Sequence, residues 1–226
     1  MSIPRLLSAE KRVCIICEGL EEYYYLNKIK ELNLWNKKYH VELINAKGIG
    51  KIPARYQYRF QNGSYCDAIL IFCDTDKKPF KKYVEMKNKI DDFHGSEIKG
   101  EISNQITIFG NPCTMQIIIM HWDDVKLISN SKTVNAPIIE QYTGIKGYDA
   151  HDRQCQAVMS NINRENYLDM IARVSKLPND YTQPNSSNFD EFMKYLRSSN
   201  TDWIDKIKDA ILATEKRQDQ KYPANS

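Results

Sequence analysis

The sequence predicts an α/β fold, in which a mainly parallel sheet is flanked by helices and followed by a C-terminal helical appendage. Short apolar runs alternate with helical patterns in the first half of the chain, whereas helical patterns dominate the second half. The runs at residues 13–16 and 68–72 are β-branched and bounded by polar residues, which is typical of strands covered on both faces of a parallel sheet. We therefore expect an α/β core over residues 1–112 and a helical appendage over residues 113–226.

The elements of the core follow one another as strand and helix. Apolar residues at a helical period define the helices, Gly48 and Gly50 permit a tight turn after the second strand, and Pro53 and Pro79 suit first helical turns. After the strand at 13–16 we expect, in order, a helix at 18–34, a strand at 39–46, a helix at 51–61, a strand at 68–73, a helix at 79–93 and a strand at 106–109. This alternation implies right-handed crossovers and a mainly parallel sheet.

The second half is expected to be helical. Four segments have a helical period or strong helix formers, at 115–121, 152–175, 189–196 and 203–215. Residues 178–188 are rich in Pro, Asn, Ser and Thr and are expected to form a loop, and residues 216–226 are expected to fray.

Composition places few limits on function. The formal charge of +3 is too small to demand a polyanionic partner, although the lysines and arginines leave room for a basic face. Cys14, Cys17, Cys73 and Cys113 lie in or beside apolar runs, so we expect reduced core cysteines rather than disulfides or a zinc site. Because no apolar stretch approaches the length of a bilayer span and no signal peptide is recognised, we expect a cytoplasmic protein without membrane association.

Two acidic patches directly follow two of the apolar runs. They are Cys17-Glu18-Gly19-Leu20-Glu21-Glu22 and Cys73-Asp74-Thr75-Asp76. Ligands of open α/β sheets bind at the carboxyl ends of the strands, which is where both patches would lie. Oxygen ligands favour magnesium or manganese over zinc, and a cation would relieve the repulsion between clustered acids. We therefore expect four carboxylates to gather around one pocket and to hold Mg²⁺ or Mn²⁺, namely those of Glu18, Glu22, Asp74 and Asp76.

Each patch also has a purely structural interpretation. Glu21 and Glu22 suit the start of a helix because of its macrodipole, and they would then cap the helix and face solvent. Asp74 and Asp76 would form an Asx turn and an N-cap ahead of the next helix. Either patch alone is weak evidence for a metal site, whereas two patches at strand ends are stronger evidence.

The chain resembles a known family in these motifs. The chain has a Glu-Gly motif after the first strand, a glycine turn after the second strand and an Asp-x-Asp motif after the third. This order resembles the Toprim domain of topoisomerases, bacterial primases, ribosomal RNA maturation nucleases and OLD-type nucleases. The residues Cys17-Glu18-Gly19-Leu20-Glu21-Glu22-Tyr23-Tyr24-Tyr25, and Asn111-Pro112-Cys113 followed by His121, are similar to motifs of the RloB-like branch, which is associated with bacterial anti-phage loci. The likeness covers the first half of the chain well and the helical remainder loosely.

The resemblance implies a metal-dependent nuclease that cleaves phosphodiester bonds in DNA or RNA, with a partner ATPase encoded nearby. It implies that Glu18 and Glu22 hold a metal ion, that Asp74 and Asp76 complete the catalytic site, and that Glu18 also acts in proton transfer.

Two positions depart from the RloB-like pattern. Met115 stands where the family usually has a Glu shortly after Asn-Pro-Cys, and Glu21 stands where the opening motif has a Thr. If the late Glu is needed for catalysis, the chain is instead a catalytically weak or inactive nucleic-acid-binding regulatory subunit. A nucleotide- or pyrophosphate-processing enzyme is a third alternative, because the same acids suit any phosphoryl chemistry.

A histidine and several lysines complete the candidate set. His121 is expected to approach the acids as a further catalytic residue, and its alternative role is that of an ordinary helix-end residue. The candidate contacts for a nucleic acid backbone are Lys77, Lys78, Lys81 and Lys126, with Lys82 in the same basic run. Their alternative role is a solvated helix face.

Overall fold

A computed structural model describes residues 10–62, 66–76 and 78–221. Within these ranges the chain forms a four-stranded sheet with the strand order β2-β1-β3-β4, in which all neighbouring strands are parallel. The strands are β1 (Lys11–Cys17), β2 (Tyr39–Asn45), β3 (Ala68–Asp74) and β4 (Thr107–Gly110). The helices are α1 (Leu20–Glu31), α2 (Ile52–Gln61), α3 (Lys81–Phe93), α4 (Ser103–Ile106), α5 (Met115–Ile119), α6 (Lys132–Thr143), α7 (Asp152–Ser160), α8 (Arg164–Val174), α9 (Phe189–Arg197) and α10 (Asp202–Lys221). The predicted α/β fold with a parallel sheet flanked by helices is confirmed.

Burial explains why β1 and β3 lie at the centre of the sheet. Both strands are almost continuously buried, because helices cover both faces of a parallel sheet. Strand β2 lies at an edge, and its first residues alternate between buried and exposed. The pairing of β1 with β3 places Cys17 opposite Phe72. The residues that follow these two strands therefore begin next to each other.

The helical half differs from the prediction at three places. The helix expected over 152–175 is two helices, because Asn163 caps α8 by accepting hydrogen bonds from the N–H groups of Glu165 and Asn166. Helix α6 was not predicted, since it contains Pro137 in its interior. Helix α10 continues to Lys221 rather than fraying from residue 216.

Contacts with the core explain the length of α10. The Gln218 amide donates a hydrogen bond to the carbonyl of Gly95 at 3.1 Å, and Arg217 pairs with Glu101. Residues 222–226, which were also expected to fray, lie outside the described residues. Among the helices that the structure describes, none is long and apolar enough to cross a membrane.

Side chains of the segment that leads into α9 form hydrogen bonds with backbone groups on the outer edge of β4. The Phe109 N–H donates to Asn188 Oδ1 at 2.9 Å, and Asn188 Nδ2 donates to the Thr107 carbonyl at 2.8 Å. The Ser187 hydroxyl donates to the Phe109 carbonyl at 2.7 Å. Two residues from the helical half thus satisfy backbone groups that an edge strand would otherwise leave unpaired.

We expect Asn188→Ala to lower the free energy of unfolding by about 2 kcal/mol, because it leaves a buried N–H and a carbonyl of β4 without partners. Urea denaturation followed by circular dichroism measures the change. Asn27→Ala is the control, because the Asn27 side chain bonds Glu31 at the exposed surface, and it should change the value by less than about 0.5 kcal/mol. Equal effects of the two substitutions would contradict the role given to Asn188.

Candidate functional site

A cavity of about 550 Å³ opens where β1 and β3 end. Of the described residues, six acids line it: Glu18, Glu21, Glu22, Asp74, Asp76 and Asp149. The first five come from the residues directly after β1, the start of α1 and the end of β3. The structure thus brings together all four carboxylates that the sequence predicts as metal ligands.

Glu18 and Asp74 are held together by the backbone of the sheet. The Glu18 N–H donates to the Phe72 carbonyl at 2.9 Å, which extends the pairing of β1 with β3 by one step. The Asp74 N–H then donates to Glu18 Oε2 at 3.1 Å. The first acid after β1 is therefore fixed against the last residue of β3.

Glu22 caps helix α1 and also lines the carboxylate cavity, so it combines the two roles that the sequence left open. Its Oε2 accepts a hydrogen bond from the Gly19 N–H at 2.8 Å, so it caps the start of α1. The expectation that Glu21 and Glu22 then face solvent is wrong, because only 7% of Glu21 and 3% of Glu22 are exposed. Both side chains line the cavity.

The two aspartates after β3 contact segments from further along the chain. Asp74 Oδ1 accepts hydrogen bonds from the Thr114 N–H at 2.6 Å and from its hydroxyl at 2.8 Å. Asp76 Oδ1 accepts one from the Asn130 amide at 3.0 Å. Neither aspartate caps the following helix, because the N-cap position of α3 is occupied by Phe80, and α3 receives no side-chain cap. The N-cap interpretation of this patch is therefore wrong.

Burial and mutual repulsion raise the pKa values of Glu18, Glu22 and Asp74. Burial first, and then the charge of Glu22, raise the pKa of Glu18 from 4.5 to about 8. Burial, followed by the charges of Glu22, Glu18 and Glu21, raises the pKa of Asp74 well above its usual range. The pKa of Glu22 is raised by burial and by the charge of Glu21. The site therefore favours protons or other cations over bare negative charge.

A lysine and a tyrosine that the sequence reasoning missed also belong to the site. Lys132, the first residue of α6, forms an ion pair with Glu21, and the Tyr148 hydroxyl donates to Glu21 Oε1 at 2.9 Å. Burial lowers the pKa of Lys132, but the charges of Glu21, Asp74 and Glu22 outweigh it and raise the pKa overall. Lys132 follows Glu21 by 111 residues on a helix that was not predicted, so no local pattern could have identified it.

His121 does not lie with the carboxylates. It is 1% exposed, and its two ring nitrogens lie 3.1 Å from the Tyr25 hydroxyl and 3.1 Å from Asn166 Oδ1. Burial lowers the pKa of His121 to about 4, so the ring is neutral near pH 7. This position departs from the expectation that His121 approaches the acids, and its contacts join α1 to α8 in the core.

Three of the predicted basic contacts, Lys78, Lys81 and Lys126, do not line the carboxylate cavity. Lys78, Lys81 and Lys126 are exposed, and Lys81 lies 3.9 Å from Glu85 on the surface of α3. Lys78 lines a neighbouring cavity. Lys77 lies outside the described residues. Among the lysines that the structure describes, Lys47 and Lys132 line the carboxylate cavity, and Lys132 pairs with Glu21.

The donor chemistry of the cavity fits a hard divalent cation, since the converging groups are carboxylate oxygens. In the positions described by the structure, however, no group of three or more His, Cys, Asp or Glu residues is close enough together to hold a metal ion. Several of the carboxylates are held by hydrogen bonds to Thr114, Gly19 and Asn130. Binding one ion through three of them therefore requires rotation of side chains around these anchors.

We expect Met115→Glu to lower the free energy of unfolding by roughly 3 kcal/mol or more without raising metal affinity. Met115 is 2% exposed, packs in the core and does not line the cavity, so a carboxylate there would be buried without a partner. Thermal unfolding and manganese titration measure the two effects. The control Met115→Leu conserves volume and should cost less than about 1.5 kcal/mol. Tighter manganese binding by Met115→Glu would mean that residue 115 reaches the acids.

We also expect the metal-free protein to lose stability as the pH rises from 6.5 to 8. The pKa of Glu18 is about 8 in the folded chain against 4.5 ordinarily, so folding favours the protonated acid and this advantage disappears as the pH rises towards 8. Buried His94 and His121, with pKa values of about 4 against 6.5, act in the opposite direction only below pH 6.5.

Thermal melts at pH 6.5 and pH 8 in chelator measure this loss. Glu18→Gln, which cannot ionise, should reduce the dependence without abolishing it, because Asp74 and Glu22 also have raised pKa values. The surface substitution Glu97→Gln should leave the dependence as in the parent chain. Equal slopes for all three proteins would contradict the raised pKa of Glu18.

Three comparisons with known proteins identified no related protein. No family model matches the chain, and searches of curated proteins and of solved structures found no match. Arguments about function therefore depend on the residues of the cavity.

Proposed function

We propose that this chain is a metal-dependent nuclease of the RloB-like Toprim type, which cleaves phosphodiester bonds in DNA or RNA. The observation that carries the proposal is the convergence of Glu18, Glu22, Asp74 and Asp76 on one cavity at the carboxyl ends of β1 and β3. This is the edge at which open α/β sheets bind their ligands.

The sheet and the motifs support the Toprim part of the proposal. The acids follow β1 and β3, which are adjacent, parallel and central in the sheet. The Glu-Gly and Asp-x-Asp motifs thus lie side by side in space although 56 residues separate Glu18 from Asp74. A Toprim-like site needs this juxtaposition, because neither motif alone supplies enough oxygen ligands for a divalent ion.

Glu18, Glu22, Asp74 and Asp76 are the residues that would hold Mg²⁺ or Mn²⁺, which when bound neutralises charge on a phosphate and activates water. Thr114 and Gly19 orient Asp74 and Glu22 through the hydrogen bonds described above. Such anchors limit how far the carboxylates must move to share a ligand.

The chain's own side chains supply proton transfer and positive charge. The RloB-like resemblance gives Glu18 a second role in proton transfer; its pKa of about 8 belongs to the metal-free chain, and a bound cation would lower that pKa. Lys132 brings a positive charge into the same cavity and is positioned by Glu21. This charge faces the space that a substrate phosphate would enter.

The biological setting follows from the RloB-like resemblance. We propose that the nuclease acts in anti-phage defence in the cytoplasm, together with a partner ATPase encoded nearby. The exposed side chains of Lys78, Lys81 and Lys126 would then contact the nucleic acid backbone outside the cavity.

A nucleic-acid-binding subunit that does not cleave is the second candidate. Met115 is buried in the core, so the start of α5 contributes no carboxylate where RloB-like proteins usually have one. In the arrangement described, the remaining acids also do not form a ready group of three metal ligands. Both observations favour this alternative, and a cleavage assay separates it from the nuclease.

The deciding experiment incubates the purified chain with labelled DNA, transfer RNA, total RNA and nucleoside triphosphates, with manganese or with chelator. We expect manganese-dependent cleavage of a nucleic acid, and Asp74→Asn should reduce the cleavage rate by about 100-fold or more. Mutation of residues that only hydrogen-bond to metal ligands already lowers metal affinity or activity by about 10–100-fold. Asp92→Asn is the control, because Asp92 pairs with Lys99 on the exposed surface.

The other outcomes identify the other functions. Metal-independent binding of nucleic acid without cleavage would establish the regulatory subunit. Turnover of triphosphates alone would establish a nucleotide-processing enzyme.

A further inference from the structure

A second cavity adjoins the carboxylate cavity. Its volume is about 480 Å³, which lies within the range of about 300–1,000 Å³ that is usual for small-molecule sites. Asp76 and Asn130 line both cavities, and a hydrogen bond of 3.0 Å joins their side chains. The two cavities therefore meet at this pair, and an extended substrate bound at the carboxylates can continue past it.

The wall of the second cavity differs in chemistry from the first. Ile128 is 92% exposed at this wall, and the exposed Lys78 contributes a positive charge. Phe80, which is 8% exposed, contributes an aromatic side chain. A single exposed isoleucine is ordinary on a protein surface. An apolar side chain beside a cation and next to clustered acids is a more specific combination.

Asn185 adds an unsatisfied polar group to the same wall. Its side-chain oxygen is buried and has no hydrogen-bond partner among the residues that the structure describes. A buried carbonyl without a partner carries a desolvation cost, and a ligand with an N–H group would remove it once the amide turns this oxygen into the cavity. Rotation of the amide about its last bond presents either its oxygen or its nitrogen to such a ligand.

We propose that the second cavity binds the unpaired base of a nucleotide next to the scissile phosphate. The base packs its face against Ile128, bonds its polar edge to Asn185, and directs its own phosphate towards Lys78. A nucleobase combines these three features, since it is flat and apolar on its faces, polar at its edge, and attached to a phosphate. This inference rests on the proposed function, because it places the scissile phosphate at the carboxylates.

The proposal specifies the substrate class as a single strand, whose bases are unpaired. A base that is paired inside a duplex cannot enter a cavity without leaving its partner. DNA and RNA both present a base face, a base edge and a phosphate, so the test needs strands of both kinds to show which nucleic acid binds.

The test measures binding of fluorescent single-stranded hexanucleotides of DNA and RNA, and of matched duplexes, by anisotropy with calcium in place of manganese. We expect tighter binding of single strands. Ile128→Ser should weaken that binding about fivefold, because it removes an apolar contact with the face of the base. Asn185→Gly should weaken it as well, and glycine suits the positive φ of 51° at this position.

Ile98→Ser is the matched control, because Ile98 is 58% exposed and lines a different cavity. Single-strand binding by Ile128→Ser and Asn185→Gly equal to that of the parent chain would overturn the proposal. A parent chain that prefers duplexes, or binds neither form, would overturn it too.

Cleavage assays on the same variants separate this inference from the proposed function. Cleavage by the parent chain with unchanged rates in Ile128→Ser and Asn185→Gly would overturn the base site alone. Binding of single strands that depends on Ile128, without cleavage under any metal, would overturn the nuclease and support the base site.

Discussion

The parallel pairing of β1 with β3 is the contact on which the candidate site depends. It continues one step beyond the strands, through the hydrogen bond from Glu18 to the Phe72 carbonyl, and so fixes the first acid against Asp74. A parallel sheet brings the ends of its strands to one edge regardless of the distance between them in sequence. A change of register would move Glu18 away from Asp74, and the cavity would lose its central pair.

Three acids of the cavity, Glu18, Glu22 and Asp74, lower the stability of the fold when they are ionised. Each raised pKa records free energy by which the fold disfavours the charged form, and burial is the largest cause for Glu18 and Asp74. The protein offsets part of this cost with the Lys132 ammonium and with hydrogen bonds from Thr114 and Asn130. Such local conflict between stability and charge is characteristic of functional sites, where binding of a cation or substrate removes it.

The sequence was sufficient to predict the sheet and its four acids because both depend on short-range patterns. Buried β-branched runs define β1 and β3, and the residues just after them are read directly from the chain. Lys132 and Tyr148 could not be predicted, because their contacts with Glu21 depend on how the helical half folds back onto the core. The same holds for His121, whose burial against Tyr25 follows from packing rather than from any motif.

Asn188 has a consequence for how copies of this chain can associate. Its side-chain amide forms the two backbone hydrogen bonds that a residue of a neighbouring strand would form with β4. Strand β4 itself is only four residues long. Edge strands with free backbone groups invite pairing with strands from other molecules. At this edge the groups of Thr107 and Phe109 are already bonded within the chain, so the sheet cannot be extended here by strand addition unless the segment before α9 is first displaced.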